Sequence, residues 1–309
     1  MNTRNFRIFY IKKAKGYRKI ITYSDIYGEI REFHNDVKNI IASRFKPSVF
    51  SKAYIKKQSI ITNVKAHKYN DIFISLDIKN FFQSINHNKL IERMYFEINR
   101  RQKYKITRVE CKKIVDSCSM SKIGLAVGLI PSPILANIYL KEFDNIIYGK
   151  LKKMGLENVI YTRYADDMTI SYKNKNDGLD NSINREIVNC TEKILKKYSL
   201  SLNYKKVRVI DLNISNHVRI TGISISKTMD NSRFLTVGRK RKNELYHRTM
   251  KLMVSENRNI EEISSIKGLQ SFILSVEGVS YQNIYSQIMQ DEIKKLGYTT
   301  LKDLIDNLK

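Results

Sequence analysis

The 309-residue chain holds only three cysteines, Cys111, Cys118 and Cys190. An odd, scattered set excludes a disulfide framework and a CxxC metal pair, and it reads as small buried apolar side chains in a reducing compartment. With three prolines and twelve glycines the chain has no composition for a long flexible linker, and no segment repeats. No apolar run reaches the length of a membrane span, and residues 1–10 lack the apolar core of a secretion signal. A cytoplasmic protein without a membrane partner is therefore expected. Acidic residues are also short: 30 Asp+Glu face 56 Lys+Arg, a formal net charge of +26. Such an excess repels itself in a compact state unless a polyanion neutralises it, which makes nucleic acid the first candidate partner. A general Lys-, Ile- and Asn-rich bias accounts for the lysines but not for the shortage of acids.

Hydrophobic residues make up 42%, enough for a sizeable core in one globular unit with subdomains. Residues 6–11 and 18–23 read as strands around Lys15-Gly16, and 26–45 as an amphipathic helix. Residues 71–78 (DIFISLDI) read as a buried strand, followed by helices at 86–99 and 106–118. A longer helix over 131–152 starts on Pro131, where a missing N–H costs least. Two β-like runs, 158–163 and 168–172, flank an acidic pair, and a helix over 184–198 follows. Strands are expected at 207–210 and 218–225, then helices at 238–255, 259–275, 279–295 and 300–308. Mixed elements followed by helices alone indicate an α+β fold with a C-terminal helical subdomain.

Asp77 ends an apolar strand, and Asp166 and Asp167 fall at the tip of a hairpin. Acids at strand ends are costly unless paired or bound to cations. Brought to one sheet edge, the three would form an oxygen-rich site for Mg²⁺, with Mn²⁺ as a substitute. Two such ions can activate a primer 3′-hydroxyl and stabilise leaving pyrophosphate. An isolated Asp-Asp in a turn is ordinary loop chemistry. Here it sits inside Tyr161-Thr162-Arg163-Tyr164-Ala165-Asp166-Asp167, with a strand ending in an acid upstream.

The order LDIKNFF (76–82), GLIPSPILAN (128–137), YTRYADD (161–167) and LNYKK (202–206) resembles the palm motifs of reverse transcriptases, over about residues 6 to 285. The resemblance implies a right-hand polymerase: fingers over 1–70, a palm of antiparallel sheet plus helices over 71–230 with fingers helices interleaved at about 86–130, and a helical thumb over 231–309. It implies Asp77 and Asp166 as principal metal ligands, with Asp167 completing the cluster. Arg18 and Lys19 resemble the residues that clamp the nucleotide triphosphate, and Phe82 the steric gate against a 2′-hydroxyl. Gly128 would let the backbone approach the template–nucleotide pair, and Lys206, with Lys205 as its decoy, would stand near the triphosphate. One departure stands out: in the QGxPxSP pattern this loop carries Val127 for Gln and Ile130 for the first Pro.

Asn63-Val64-Lys65-Ala66-His67 resembles the NAxxH box of the retron subgroup, Ile220-Thr221-Gly222 its VTG triplet, and residues 271–276 a helix of its thumb. Retron-type enzymes copy part of a structured non-coding RNA into single-stranded DNA, using dNTPs and a 2′-hydroxyl of a guanosine in that RNA as primer. Their RNA-linked DNA (msDNA) acts in anti-phage defence in bacteria with a separate effector protein. By that resemblance Asn63 and His67 order the fingers or touch RNA. The run Arg239, Lys240, Arg241 and Lys242, with Arg248 a turn or two on, reads as a helix laid along a duplex backbone or as a solvated face. Two alternatives stand: another bacterial defence or group II intron-like reverse transcriptase, or a basic RNA-binding protein that has lost catalysis.

Overall fold

The computed structural model describes residues 5–12, 16–25, 28–174, 181–255 and 259–308. Lys15 of the expected turn and Ile26 of the expected helix lie outside them. The chain divides into two compact units, residues 1–63 with 70–211, and 64–69 with 212–309.

The first unit opens with β1 (Phe6–Lys12) and β2 (Tyr17–Tyr23), paired antiparallel from Phe6↔Tyr23 to Lys12↔Tyr17. The base of this hairpin packs Phe6, Ile21 and Tyr23 against Ala126 and Leu129. Helix α1 (Glu29–Arg44) buries His34, Val37 and Ile41 and carries Glu29 and Glu32 in its first turn, where the helix dipole favours acids. Helix α2 (Ile60–Ala66), across which the two units divide, was not expected from the sequence. Strand β3 (Ile72–Asp77) is buried at every position but Ser75. After it, Asn80 takes a left-handed φ of 47° and turns the chain into α3 (Phe81–Ser84). Asn86 caps α4 (His87–Asn99), and a Thr107–Glu110 capping box starts α5 (Arg108–Ser117). Helix α6 (Ser132–Lys152) begins after Pro131.

Strands β4 (Ile160–Tyr164) and β5 (Asp167–Tyr172) form the second hairpin, followed by α7 (Asn181–Lys197), a 3₁₀ turn (Tyr204–Lys206) and β6 (Arg208–Asp211). The four central strands run in the order β4-β5-β3-β6, antiparallel throughout. The apolar side chains of β3, β4 and β5 join those of α1 and α4 to α7 in one core that includes Ile74, Leu76, Leu135, Phe143, Ile170 and Leu195.

The second unit holds α8 (Leu212–Ser215) and the three-stranded sheet β7 (His217–Ile220), β8 (Ile223–Lys227) and β9 (Arg233–Thr236). The single strand expected over 218–225 is in fact a hairpin. Thr221 and Gly222 both take positive φ, 45° and 91°, as a two-residue hairpin turn requires, and the buried positions change phase from 218 and 220 to 223 and 225. Helices α9 (Arg239–Val254), α10 (Ile260–Glu277), α11 (Gln287–Lys295) and α12 (Leu301–Asp306) complete the unit around their own core. The helix expected over 279–295 is divided: Gly278 ends α10 at φ 63°, a 3₁₀ stretch spans Gly278–Ile284, and Ser286 caps α11.

Candidate active site

In the register of β3 on β5, Asp77 stands directly opposite Asp167. Tyr164 pairs with Asp167 to close the β4–β5 hairpin, leaving Ala165 and Asp166 at its tip, and Ala165 is held at a left-handed φ of 58°. The amide of Ile78 donates to the Asp166 carbonyl at 3.1 Å and ties the tip to the end of β3. Geometry thus brings the three sequence-predicted acids to one sheet edge.

Their charges conflict. Asp77 is buried, Asp166 half-buried and Asp167 the most open of the three. Burial first, then the negative charge of Asp77, raises the Asp166 carboxyl, with Lys206 and Arg18 opposing the rise. Desolvation, then Asp166 and Asp77, pushes Asp167 up to about 6. Asp77 meets the cation of the cluster: Lys206 Nζ donates to Oδ2 at 2.6 Å and Asn203 Nδ2 to Oδ1 at 3.0 Å. The Asn203 amide also donates to the Asp77 carbonyl at 2.8 Å, which anchors the 3₁₀ turn and aims Lys206 at the acid; Lys205 and Lys206 are both exposed. Hard carboxylate oxygens under mutual repulsion are a donor set that a divalent cation such as Mg²⁺ fits. Among the described residues no three such side chains are already gathered into a metal cage, and the Lys206 ammonium sits on the Asp77 oxygen.

Arg18, exposed on β2, lies within electrostatic reach of Asp166. Lys19 is its exposed neighbour on the same strand. Phe82 is half-buried, edge-on to buried Phe81 with ring centroids 5.3 Å apart, and its carbonyl accepts from the Leu125 amide at 2.7 Å. Gly128, at φ 112°, runs hard against β2: a Cβ there would meet the Ile21 carbonyl oxygen at 2.3 Å. The close approach that the glycine permits is thus made to the protein's own hairpin.

Sequence reading passed over the support behind the tip. Arg163 and Asp144 are both fully buried and paired at two points, Nε to Oδ1 at 2.8 Å and Nη2 to Oδ2 at 2.9 Å. Arg163 Nη1 also donates to the Ala165 carbonyl at 3.1 Å, the very residue in left-handed conformation. Tyr161 and Asn137 complete the network, and Asn137 Nδ2 reaches the Ala53 carbonyl at 3.0 Å. Buried charge is tolerated when each lone pair and proton is matched in this way.

The remaining predicted residues are spread over other places. Asn63 and His67 are buried, at 1% and 0% exposure. In the second unit, Arg239 and Lys240 are exposed at the start of α9. Arg241 donates to the Gly222 carbonyl at 3.0 Å and lies over the Phe272 ring. Lys242 is buried on Glu277 at 2.8 Å, and Arg248 grips Glu262 through two bonds of 2.9 and 3.0 Å. Much of the expected basic stripe is therefore spent on internal pairing.

A family model described as reverse transcriptase (RNA-dependent DNA polymerase) matches residues 11–300. Retron Ec86 reverse transcriptase of Escherichia coli is 26% identical over 300 residues, 96% of this chain and 84% of that protein. Retron Ec83 reverse transcriptase of the same organism is 23% identical over 308 residues, 97% and 89% of the two chains. Among solved structures, apo telomerase from Candida tropicalis aligns with a TM-score of 0.52 at 12% identity, covering 98% of this chain and 63% of that one. A C-terminally truncated apo form gives 0.50 at 17% identity, covering 72% and 53%. The expected right-hand polymerase fold and the expected likeness to retron enzymes are both met. No helix among the described residues is long and apolar enough to cross a membrane.

Proposed function

Since the chain belongs to the reverse transcriptase family, the RNA-dependent DNA polymerases, we propose that it is a retron-type enzyme copying part of a structured non-coding RNA into RNA-linked single-stranded DNA. In this reading the product, msDNA, serves anti-phage defence in a bacterial cytoplasm, together with a separate effector protein. The observation that supports it best is the register that sets Asp77 opposite Asp167, with Asp166 at the adjoining tip.

The family generally uses divalent metals, and Asp77, Asp166 and Asp167 would hold two Mg²⁺ ions, which supply Lewis acidity for attack of the primer hydroxyl and departure of pyrophosphate. The chain's own residues do the rest. Asn203 orients Asp77 through its 3.0 Å bond. Lys206, half-free at the surface, is placed to offset charge on the leaving pyrophosphate. Arg18 and Lys19 grip the triphosphate of the incoming dNTP, with the guanidinium able to take two oxygens at once. Phe82 excludes the 2′-hydroxyl, and Gly128 carries the loop that faces the template–nucleotide pair. On α9, Arg239 and Lys240 have charge free to meet the phosphate backbone of a duplex, while Lys242 and Arg248 hold the unit together.

The test is to incubate the purified protein and the RNA that copurifies with it with dNTPs and Mg²⁺. DNA covalently joined to that RNA is expected, and Asp166→Asn should abolish it. Absence of DNA, or DNA that persists in Asp166→Asn, overturns the reading.

A further inference from the structure

Position 130 carries isoleucine where the loop pattern has proline, and the structure gives its N–H a use. The Ile130 amide donates to the Tyr23 hydroxyl at 3.0 Å, a bond that a proline could not make. The hydroxyl in turn lies 2.7 Å from His34 Nδ1, His34 Nε2 lies 3.0 Å from Ser117 Oγ, and Ser117 Oγ donates to the Ile114 carbonyl at 2.7 Å. One direction of donation satisfies every member: Ile130 N–H to Tyr23, Tyr23 O–H to Nδ1, Nε2–H to Ser117, and Ser117 O–H to Ile114. Tyr23 and His34 are buried, at 7% and 0% exposure. Two further contacts lay the same loop along β2. The Ile21 amide donates to the Val127 carbonyl at 2.8 Å, and Gly128 permits its backbone to touch the Ile21 carbonyl. The far end of β2 carries Arg18 and Lys19.

We infer that Tyr23 is a positioning residue: its hydroxyl locks the Gly128 loop onto the strand that carries Arg18 and Lys19, replacing with a side-chain hydrogen bond the stiffness a proline at 130 would supply. Loop and strand then move as one body, and the nucleotide meets a preset gap between them. The inference rests on the polymerase reading, in which this loop and this strand face the incoming nucleotide.

The lock predicts a specific coupling. In Tyr23→Phe the Ile130 N–H and His34 Nδ1 both lose their partner. In Ile130→Pro the N–H is gone, so nothing at that point needs an acceptor. The full chain, both single variants and the double variant are compared by dNTP incorporation on a DNA-primed RNA template and by thermal unfolding. Tyr23→Phe should raise KM for dNTP about tenfold, the worth of one buried hydrogen bond, with kcat changed less than about twofold. In the double variant KM should return to the Ile130→Pro value, while Tm stays low because His34 still lacks its donor. If Tyr23→Phe lowers Tm but leaves KM unchanged, or if the two KM effects simply multiply, the inference is overturned. If the wild-type chain incorporates no nucleotide, the polymerase reading fails, and the lock is judged by hydrogen exchange of the 126–132 segment. Faster exchange in Tyr23→Phe supports the lock and unchanged exchange overturns it.

Discussion

Behind the Ala165-Asp166 tip, Arg163 and Asp144 are entirely buried and matched bond for bond, with Tyr161 and Asn137 closing the network. In front of it, Asp77, Asp166 and Asp167 face one another, with Lys206 the cation in direct contact among the described residues. On the hairpin itself the two sides are three or four residues apart, Arg163 against Asp166 and Asp167, and opposite in their electrostatics. The comparison teaches where the hairpin draws its stability. A tip with a left-handed alanine and crowded acids persists because the structure behind it over-determines its shape.

The comparison breaks most visibly from behind. Arg163→Ala leaves Asp144 buried without its partner and should cost about 3–5 kcal/mol of unfolding free energy, read by chemical denaturation. A loss under about 1 kcal/mol would mean that the rear network does not carry the tip.

A buried group elsewhere in the first unit, His34 of α1, tests internal matching through pH. Burial holds the His34 imidazole down at about 4, below its ordinary 6.5. The unfolded chain therefore takes up this proton first as the pH falls. The contribution of the neutral ring is complete above pH 6.5, is lost progressively from 6.5 to 4, and changes no further below. Asp167, raised to about 6, takes up its proton in the same window with the opposite sign, so the check is the difference between wild type and His34→Gln in urea titrations, expected to change by roughly 2–3 kcal/mol across it. Parallel profiles of the two proteins contradict a neutral buried ring.

The smallest effect has the opposite sign. Like charges directly opposite on paired strands destabilise by about 0.2–1 kcal/mol. Asp167→Asn should thus unfold at a slightly higher temperature than wild type while losing nucleotide incorporation. A lowered Tm would place Asp167 with the supporting side, not the reactive one.

Much of this was legible in sequence where the signal is local. The apolar run of β3 ending in Asp77 and the acids between two β-like runs predict their elements and their meeting at one edge. Partners far along the chain left no local mark. Arg163 sits inside the quoted string, but its acid is 19 residues away on α6, on a helix whose pattern reads as ordinary core. Lys242 belongs to a charge run that looks solvated, and Glu277, 35 residues on, makes it internal. Thr221-Gly222 was hidden because two strands that change phase across a two-residue turn still look like one apolar run. Ile130 was noticed only as a departure. Its use appears once Tyr23, 107 residues earlier, is seen beside it.

The pairing of β3 with β5 also guards against error. Side chains alternate along a strand, so a slip of one residue would bring Met168 or Asp166 opposite Asp77 and exchange the two faces of β5. Ile170 and Tyr172, now in the apolar core, would trade places with Thr169 and Ser171, which are buried on the opposite face. A chain that mispairs here would be left with neither a sound interior nor an assembled acid cluster. Misfolded copies of this chain are therefore expected to be silent ones, unable to make aberrant DNA.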